Sequence, residues 1–160
     1  MLLSQPWIQD TAQIPLLTTL GIIVGGFFKS RHYWQVTGGT EVMTTNSEAI
    51  QMLHADTYWR RKQTASFLFQ ILVMRLAALN KAKLITKTGL VMQAEADKSV
   101  VQEASHNLYI TLASKDKTWK TLPGYAHDSE FEAGRVLLDN EVVTWIYGHI
   151  MQLVDSKVTQ

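Results

Sequence analysis

Asp97 and His127 are the residues whose types and spacing could support acid–base chemistry. Each follows a short apolar run that predicts a β-strand, 88–93 before Asp97 and 118–122 before His127. The residues between these runs predict a helix, and parallel strands joined by a helix bring their C-terminal ends to one edge of a sheet. There the Asp97 carboxylate could accept the Nδ1 proton of His127, whose ordinary pKa suits proton exchange near neutral pH. Such a pair would supply two of the three members of a nucleophilic triad.

Two other interpretations of these residues remain open from the sequence. Asp97 could cap the helix that begins near Ser99, with His127 a loop residue bonded to a backbone carbonyl. A metal site could instead be built from His127, Asp128, Glu130 and Glu132. This group has no second histidine at i+4 and no second ligand cluster, so we expect no metal and no cofactor.

The composition is that of one globular domain. The chain has 160 residues, 46% hydrophobic and 18% charged, enough to bury roughly two-thirds of its unfolded surface. A net charge of +1, with Lys and Arg dispersed, argues against a nucleic-acid partner. The absence of cysteine excludes disulfides, thiol catalysis and Cys-ligated zinc. No signal-peptide pattern is evident, so we expect a cytoplasmic or peripheral-membrane location. The composition does not distinguish between these two locations.

Hydrophobic periodicity predicts the other elements. Met1–Pro6 is strand-like, and helices are expected over 14–28, 46–54, 64–80, 99–114 and 133–153. Residues 29–45 predict a loop, and 56–62 predict a solvated helix start with the Trp59 side chain tucked in, with a ligand site as the alternative. The side chains expected to be buried in the 64–80 helix are Phe67, Ile71, Met74, Leu76 and Leu79. The apolar stripe of the last helix comprises Val136, Val143, Ile146 and Ile150.

The segment Ile14–Phe28 has 15 residues without a charge. A membrane-spanning helix needs about 20 such residues, and Pro15, Gly21 and Gly25-Gly26 fall within this shorter run. We therefore expect a buried or surface-seeking amphipathic element here, with a membrane-spanning helix as the less favoured alternative.

Further residues between Asp97 and His127 match the motifs of a known family. Asp97 is followed by Val100-Val101, the next helix carries Ala104-Ser105 and Leu108-Tyr109, and a lysine-containing strand leads into Pro123-Gly-x-x-His127. Residues 89–132 thereby resemble the C-terminal part of α/β-hydrolases of the monoacylglycerol lipase, lysophospholipase and serine aminopeptidase type. The resemblance implies an α/β fold of parallel strands and crossover helices with a helical cap. It also implies that Asp97 is the triad acid and His127 the triad base.

The resemblance extends more weakly upstream and implies a domain organisation. Residues 1–6 are similar to the core strand that follows the helix of the nucleophile, and 7–83 would be the helical cap or lid over the acyl pocket. Residues 84–155 would form the C-terminal core that carries the acid and the base, and 156–160 a tail. Ile14–Phe28 suits a cap that touches lipid or lines a tunnel for an acyl chain.

The sequence departs from the family pattern in two places. The family usually has His-Gly at the strand end before its aspartate, where this chain has Gln93-Ala94. The family's serine lies in a Gly-x-Ser-x-Gly elbow that precedes the acid and the base. Flanking glycines are absent from every serine of this chain, namely Ser4, Ser30, Ser47, Ser66, Ser99, Ser105, Ser114, Ser129 and Ser156. We therefore expect neither the nucleophile nor its oxyanion hole in this chain.

Two functions are consistent with these observations. The first is a partial serine hydrolase of lipase or lysophospholipase type, which supplies Asp97 and His127 for the hydrolysis of acyl esters such as mono- or lysoglycerides and is inactive alone. The second is a non-catalytic α/β module that binds a membrane or a partner through Ile14–Phe28. We expect the sequence to be a fragment or mis-started gene product without an N-terminal half, which would leave the first strand with an unpaired edge.

Overall fold

The computed structural model describes residues 1–29, 31–35, 39–58 and 62–158, with side chains up to Met151. In chain order, its helices and strands are β1 (Leu2–Ser4), α1 (Leu16–Phe27), β2 (Tyr33–Gln35), α2 (Ser47–Ala55), β3 (Lys62–Thr64), α3 (Ala65–Ala82), β4 (Gly89–Ala94), α4 (Gln102–Thr111), β5 (Lys117–Leu122) and α5 (Arg135–Val158). Short 3₁₀ turns cover Thr40–Val42 and Ser129–Phe131.

A parallel three-stranded sheet in the order β1-β4-β5 organises the molecule. The register places Leu2 beside Leu90 and Gly89 beside Lys117. All six residues of β4 are buried, as expected for a central strand with helices on both faces. The α/β fold class predicted from the sequence is therefore confirmed. Within the described residues β1 pairs on one side only, so the expected unpaired edge is present.

The two faces of the sheet pack against different helices. On one face, Val91 lies in a cluster with Ala82 at the end of α3 and with Leu108 and Leu112 at α4. On the other face, Leu90, Met92 and Leu122 pack against Leu138 of α5, with Val142 and Trp145 at the border. Because successive β4 side chains alternate between these layers, the sheet is fixed in position from both sides.

A second unit is inserted between β1 and β4. Its antiparallel ribbon pairs β2 with β3, and α1 packs against α3. At the α1–α3 contact Gly26 has no side chain, and a Cβ added there would lie 2.2 Å from Cβ of Phe69. The close approach of the two helices therefore requires glycine at this position.

Two sequence predictions for this unit are wrong. Residues 29–45, expected to form a loop, contain β2 and a 3₁₀ turn. The helix expected to start within 56–62 does not begin there, because Lys62–Thr64 form β3. The helix α3 begins only after Thr64, whose hydroxyl accepts a hydrogen bond from Phe67 N. The pairing of β3 with β2 overrides the local helical preference of residues 62–64. Local sequence does not reveal this pairing, because the two strands are about 30 positions apart. The Trp59 side chain, expected to be tucked in at this site, lies outside the described residues.

The prediction of which apolar side chains α3 buries is also wrong. Phe67, Met74, Leu76 and Leu79 are exposed, whereas the buried residues of α3 are the small Ala65 and Ala82 at its ends. The stripe on α5 is likewise exposed at Val136, Val143, Ile146 and Ile150. Periodicity identifies an apolar side of a helix, but the neighbours decide which side is covered.

The C-terminal boundary differs from the prediction as well. α5 continues to Val158, so residues 156–158, expected in the tail, are helical. Neither glycine nor proline occurs between Leu153 and Val158 to end the helix. The remaining two positions of the expected tail, 159 and 160, lie outside the described residues.

The helices α1 and α3 differ in whether they could cross a membrane. With 12 residues, α1 is about 18 Å long, too short for the hydrocarbon core of a bilayer, so the spanning alternative for Ile14–Phe28 fails. α3 is the one helix of the described residues that is long and apolar enough by length and composition alone. Core helices of non-membrane proteins can pass the same test.

Candidate active site

Asp97 lies three residues after the last residue of β4, Ala94, at the C-terminal edge of the sheet. Its Oδ1 accepts hydrogen bonds from the backbone N–H groups of Ser99, at 2.8 Å, and Val100, at 3.1 Å. These bonds close the turn before α4. The capping alternative for Asp97 is wrong, because α4 begins only at Gln102 and its N-cap residue is Val101. The turn uses one of the two carboxylate oxygens of Asp97, and the other oxygen remains available.

That second oxygen, Oδ2, meets His127. The distance from Oδ2 to Nδ1 of His127 is 2.9 Å, and the side-chain amide of Gln93 donates to the same oxygen at 3.1 Å. The Asp97 side chain is 0% exposed and the His127 side chain 16%. The hydrogen bond predicted from the strand spacing is thus present, and four donors surround one buried carboxylate.

The loop after β5 presents His127. Gly124 has a φ of 76°, in the left-handed region that glycine adopts without strain, so the chain can turn sharply after Leu122. The backbone of this loop is then tied to the Asp97 turn, where Ala96 N donates to Tyr125 O at 2.9 Å. Asp128 N donates to Met43 O at 2.7 Å and fixes the far side of the loop. His127 is therefore held from both directions.

Glu132 is a structural carboxylate in the same loop. It is buried and accepts from Thr45 N at 2.8 Å, from Thr45 Oγ1 at 2.6 Å and from Ala126 N at 3.2 Å. Burial alone would raise the pKa of Glu132, but these hydrogen bonds outweigh it and lower the pKa. Its oxygens are thus committed to the loop. No group of three or more His, Asp or Glu residues in the described part of the chain could hold a metal ion.

Asp97 and His127 favour the charged form of each other, the carboxylate and the imidazolium. Burial by itself would lower the pKa of His127, but the hydrogen bond and charge of Asp97, with Asp128 and Glu130, raise it above its ordinary value. For Asp97, burial would raise the pKa, and the hydrogen bonds from His127, Val100 and Ser99 lower it. An ionised Asp97 is therefore favoured across neutral pH, with its charge directed at the imidazole.

The serines of the described chain do not complete this arrangement. Ser129, two residues from His127, is fully buried and its Oγ accepts from Gln5 Nε2 at 3.1 Å. Ser99 N donates to Asp97, and Ser105 Oγ donates to Pro6 O at 3.1 Å. None of the described hydrogen bonds joins a serine hydroxyl to the His127 imidazole. Its Nε2 therefore has no nucleophile beside it within the described residues.

Two contributors to the site were not identified from the sequence. Glu132 was considered only as a metal ligand, and Gln93 only as a departure from a family motif. Gln93 had one available signal, because it is a polar residue within the apolar run of a central strand. A buried amide in that position needs a partner, and the partner is Asp97.

An apolar cavity of about 430 Å³ lies between α1 and α3. Its walls include Ile14, Ile22, Leu68, Ile71 and Leu72. At its polar end Arg75 forms two hydrogen bonds with Asp10, at 2.6 and 3.1 Å. Asp10 also forms an isolated β-bridge with Val100, whose N–H donates to Asp97. The cavity is therefore joined to the Asp97 turn through Asp10.

Comparison with known proteins gives a family and a fold. Residues 1–134 match one protein family, described as serine aminopeptidase, S33. A search of curated proteins finds no match. A monoacylglycerol lipase from Paleococcus ferrophilus is similar in structure, with a TM-score of 0.84 and 18% identity, covering 92% of this chain and 58% of that one. A soluble variant of monoglyceride lipase from Saccharomyces cerevisiae, in complex with a substrate analogue, gives a TM-score of 0.76 and 18% identity, covering 92% of this chain and 52% of that one. The chain thus spans less than two-thirds of the length of either.

Proposed function

Because this chain belongs to the serine aminopeptidase, S33, family of α/β-hydrolases, we propose that it provides the acid and the base of a Ser-Asp-His triad for acyl-ester hydrolysis. Family membership confirms the resemblance drawn from residues 89–132. The observation that carries the proposal is the 2.9 Å hydrogen bond between buried Asp97 and His127 at the C-terminal edge of the sheet.

The proposed roles follow from the two nitrogens of His127. Asp97 stays ionised, keeps the proton on Nδ1 and so leaves Nε2 as the acceptor. As a serine oxygen attacks the ester carbonyl, Nε2 takes the hydroxyl proton, and Asp97 stabilises the imidazolium that forms. When the ester C–O bond breaks, the same proton passes to the leaving alcohol. Water then hydrolyses the acyl-enzyme with His127 again as base.

The serine of this triad is proposed to lie outside these 160 residues. In this family the nucleophile precedes the acid and the base along the chain. The chain covers 58% and 52% of the two lipase structures, so parts of their folds have no counterpart here. Without a serine and an oxyanion hole the covalent step is lost, and we expect the chain alone to have at most weak residual activity.

We propose a lipid-like acyl ester, such as a monoacylglycerol, as the substrate. The cavity between α1 and α3 has the size of a small-molecule site and mainly apolar walls. Such walls suit an alkyl chain, and the Asp10–Arg75 ion pair adds a polar part to the lining. Residues 7–83 would then act as a cap that binds the acyl group.

We also infer that the outer side of α1 contacts a lipid surface. Leu16, Leu17, Phe27 and Phe28 are all exposed, Leu17 at 82%. Lys29 follows this helix immediately and could meet anionic head groups. Exposed apolar side chains in such a group are typical of a binding surface, and a substrate that resides in membranes would supply the partner.

Covalent labelling tests the proposal. We expect a fluorophosphonate probe to label no serine of the 160-residue chain. The gene upstream of the Met1 codon should encode, in frame, a strand, a Gly-x-Ser-x-Gly elbow and a helix. The protein extended by that segment should be labelled at the elbow serine. His127→Gln should then slow labelling by about 10³-fold or more.

Three results would contradict the proposal. One is labelling of a serine within the 160-residue chain. Another is the absence of an elbow-encoding segment from the gene. The third is labelling of the extended protein that survives His127→Gln unchanged. In the last two cases the exposed side of α1 would support a non-catalytic membrane-binding module instead.

A further inference from the structure

Gln93 is the one polar side chain of the central strand. It is 1% exposed, and its Nε2 donates to Oδ2 of Asp97 at 3.1 Å, the oxygen that also meets His127. Its Oε1 is buried without a hydrogen-bond partner in the described structure. The same Nε2 also donates to Ala94 O, at 3.3 Å. A polar side chain at this depth is costly to bury, so its hydrogen bond to the Asp97 carboxylate indicates a specific role.

The chemistry of the amide fixes its orientation. Ionised Asp97 accepts hydrogen bonds but cannot donate them, so the NH₂ end of Gln93 must face Oδ2. Turning the amide over would place Oε1 against the carboxylate, oxygen against oxygen. The ionised Asp97 carboxylate and the carbonyl oxygen of Ala94 therefore both favour this direction of the amide, and in return the amide holds Oδ2 in one orientation.

We propose that Gln93 is a positioning residue for the Asp97–His127 pair. Ser99 N and Val100 N secure Oδ1 only, and the amide of Gln93 supplies the second restraint, on Oδ2. With both oxygens restrained, Oδ2 points at Nδ1 of His127 and selects the imidazole tautomer protonated there. This inference deepens the proposed function and rests on it, because the tautomer matters only if His127 acts as a base through Nε2.

The test reads the His127 tautomer in the chain as it stands. The ¹⁵N spectrum of the neutral imidazole, recorded above its pKa, distinguishes the Nδ1–H from the Nε2–H form. The wild type is expected to be almost entirely Nδ1–H. Gln93→Met keeps the length of the side chain but removes the donor. We expect the Nε2–H form to increase roughly tenfold, the order of effect of one hydrogen bond to a charged group.

A matched variant controls for the loss of an amide nearby. Gln102 Nε2 donates to Glu95 O at 2.8 Å, in the turn that contains Asp97, but does not contact the carboxylate. Gln102→Met should retain the wild-type His127 spectrum. A role of Gln93 limited to packing would also leave the spectrum of Gln93→Met unchanged, so this readout separates positioning from structure.

The outcomes separate this inference from the proposed function. A folded Gln93→Met with the wild-type tautomer ratio overturns the positioning role and leaves the triad proposal intact. If Gln93→Met does not fold, NMR of the side-chain amide protons of wild-type Gln93 tests the inference instead. We expect them to exchange slowly and to shift as His127 titrates, and protons that do neither overturn the inference. If Asp97→Asn leaves the His127 tautomer unchanged, the pair itself fails, and the proposed function fails with it.

Discussion

Replacing Asp97 by asparagine removes the charge opposite His127 and keeps the size of the side chain. Two unit charges 2.9 Å apart attract by about 6 kcal/mol at an effective dielectric constant of about 20, which sets an upper limit. Opposite charges at such distances usually shift a pKa by about 1–3 units. In Asp97→Asn the burial of His127, which lowers its pKa, is opposed only by the charges of Asp128 and Glu130. We therefore expect the His127 pKa to fall by about 1–3 units, equivalent to about 1.4–4 kcal/mol.

The assay is a titration of the imidazole Cε1–H resonances by NMR. His127 can be assigned among the five histidines by its loss in His127→Gln. Asp116→Asn is the matched control, because Oδ1 of Asp116 lies 3.3 Å from Nε2 of His149, on another part of the surface. That variant should leave the His127 titration unchanged. A His127 pKa that does not fall in Asp97→Asn would refute the reasoning, since Asp97 is the hydrogen-bond partner of Nδ1 in the described structure.

Two further predictions concern stability and the membrane surface. Because its pKa is lowered in the folded state, Asp97 stabilises the fold above pH 3.8, and this stabilisation is lost as the pH falls through the folded-state pKa. Because its pKa is raised in the folded state, His127 stabilises the fold below pH 6.5, and this stabilisation is lost as the pH rises through the folded-state pKa. Urea denaturation should therefore show a contribution from the pair that is greatest between these limits, and Asp97→Asn should lack it; an equal pH dependence in both proteins would contradict this. Leu17→Asp should weaken flotation with vesicles containing anionic lipid about tenfold, because a substantial part of a leucine's transfer free energy is lost. Its free energy of unfolding should hardly change, and Leu84→Asp, at a similarly exposed leucine outside α1, should float like the wild type.

Local signals in the sequence predicted local structure. Asn46 was expected at the start of a helix, and its side chain accepts from Glu48 N at the start of α2. The apolar runs at 88–93 and 118–122 predicted β4 and β5, and parallel topology then brought Asp97 and His127 together. Each of these inferences needs only neighbouring residues or a general rule of sheet topology.

Features that depend on distant partners were not predicted. β2 and β3 are three-residue strands, and neither has a recognisable pattern before the two are paired. The anchoring role of Glu132 depends on Thr45, which is 87 positions away. The role of Gln93 likewise appears only when the Asp97 carboxylate is in place. In each case the sequence supplies the group, while the fold supplies its partner.

α5 shows most clearly what a helical pattern leaves undecided. Leu138, Val142 and Trp145 face the sheet, while the stripe from Val136 to Ile150 faces solvent. A helix that is apolar on both sides is normally buried in a larger core or in lipid.

The solvent-accessible surface agrees with this view of α5. It measures 10842 Å², against about 8,100 Å² for a compact protein of this mass. The excess of about 2,700 Å² is far larger than the roughly 800 Å² that each partner buries in an ordinary interface. An excess of this size corresponds to an uncovered layer of a domain more than to a docking patch. It agrees with the proposal that the nucleophile belongs to a part of the hydrolase fold outside these 160 residues.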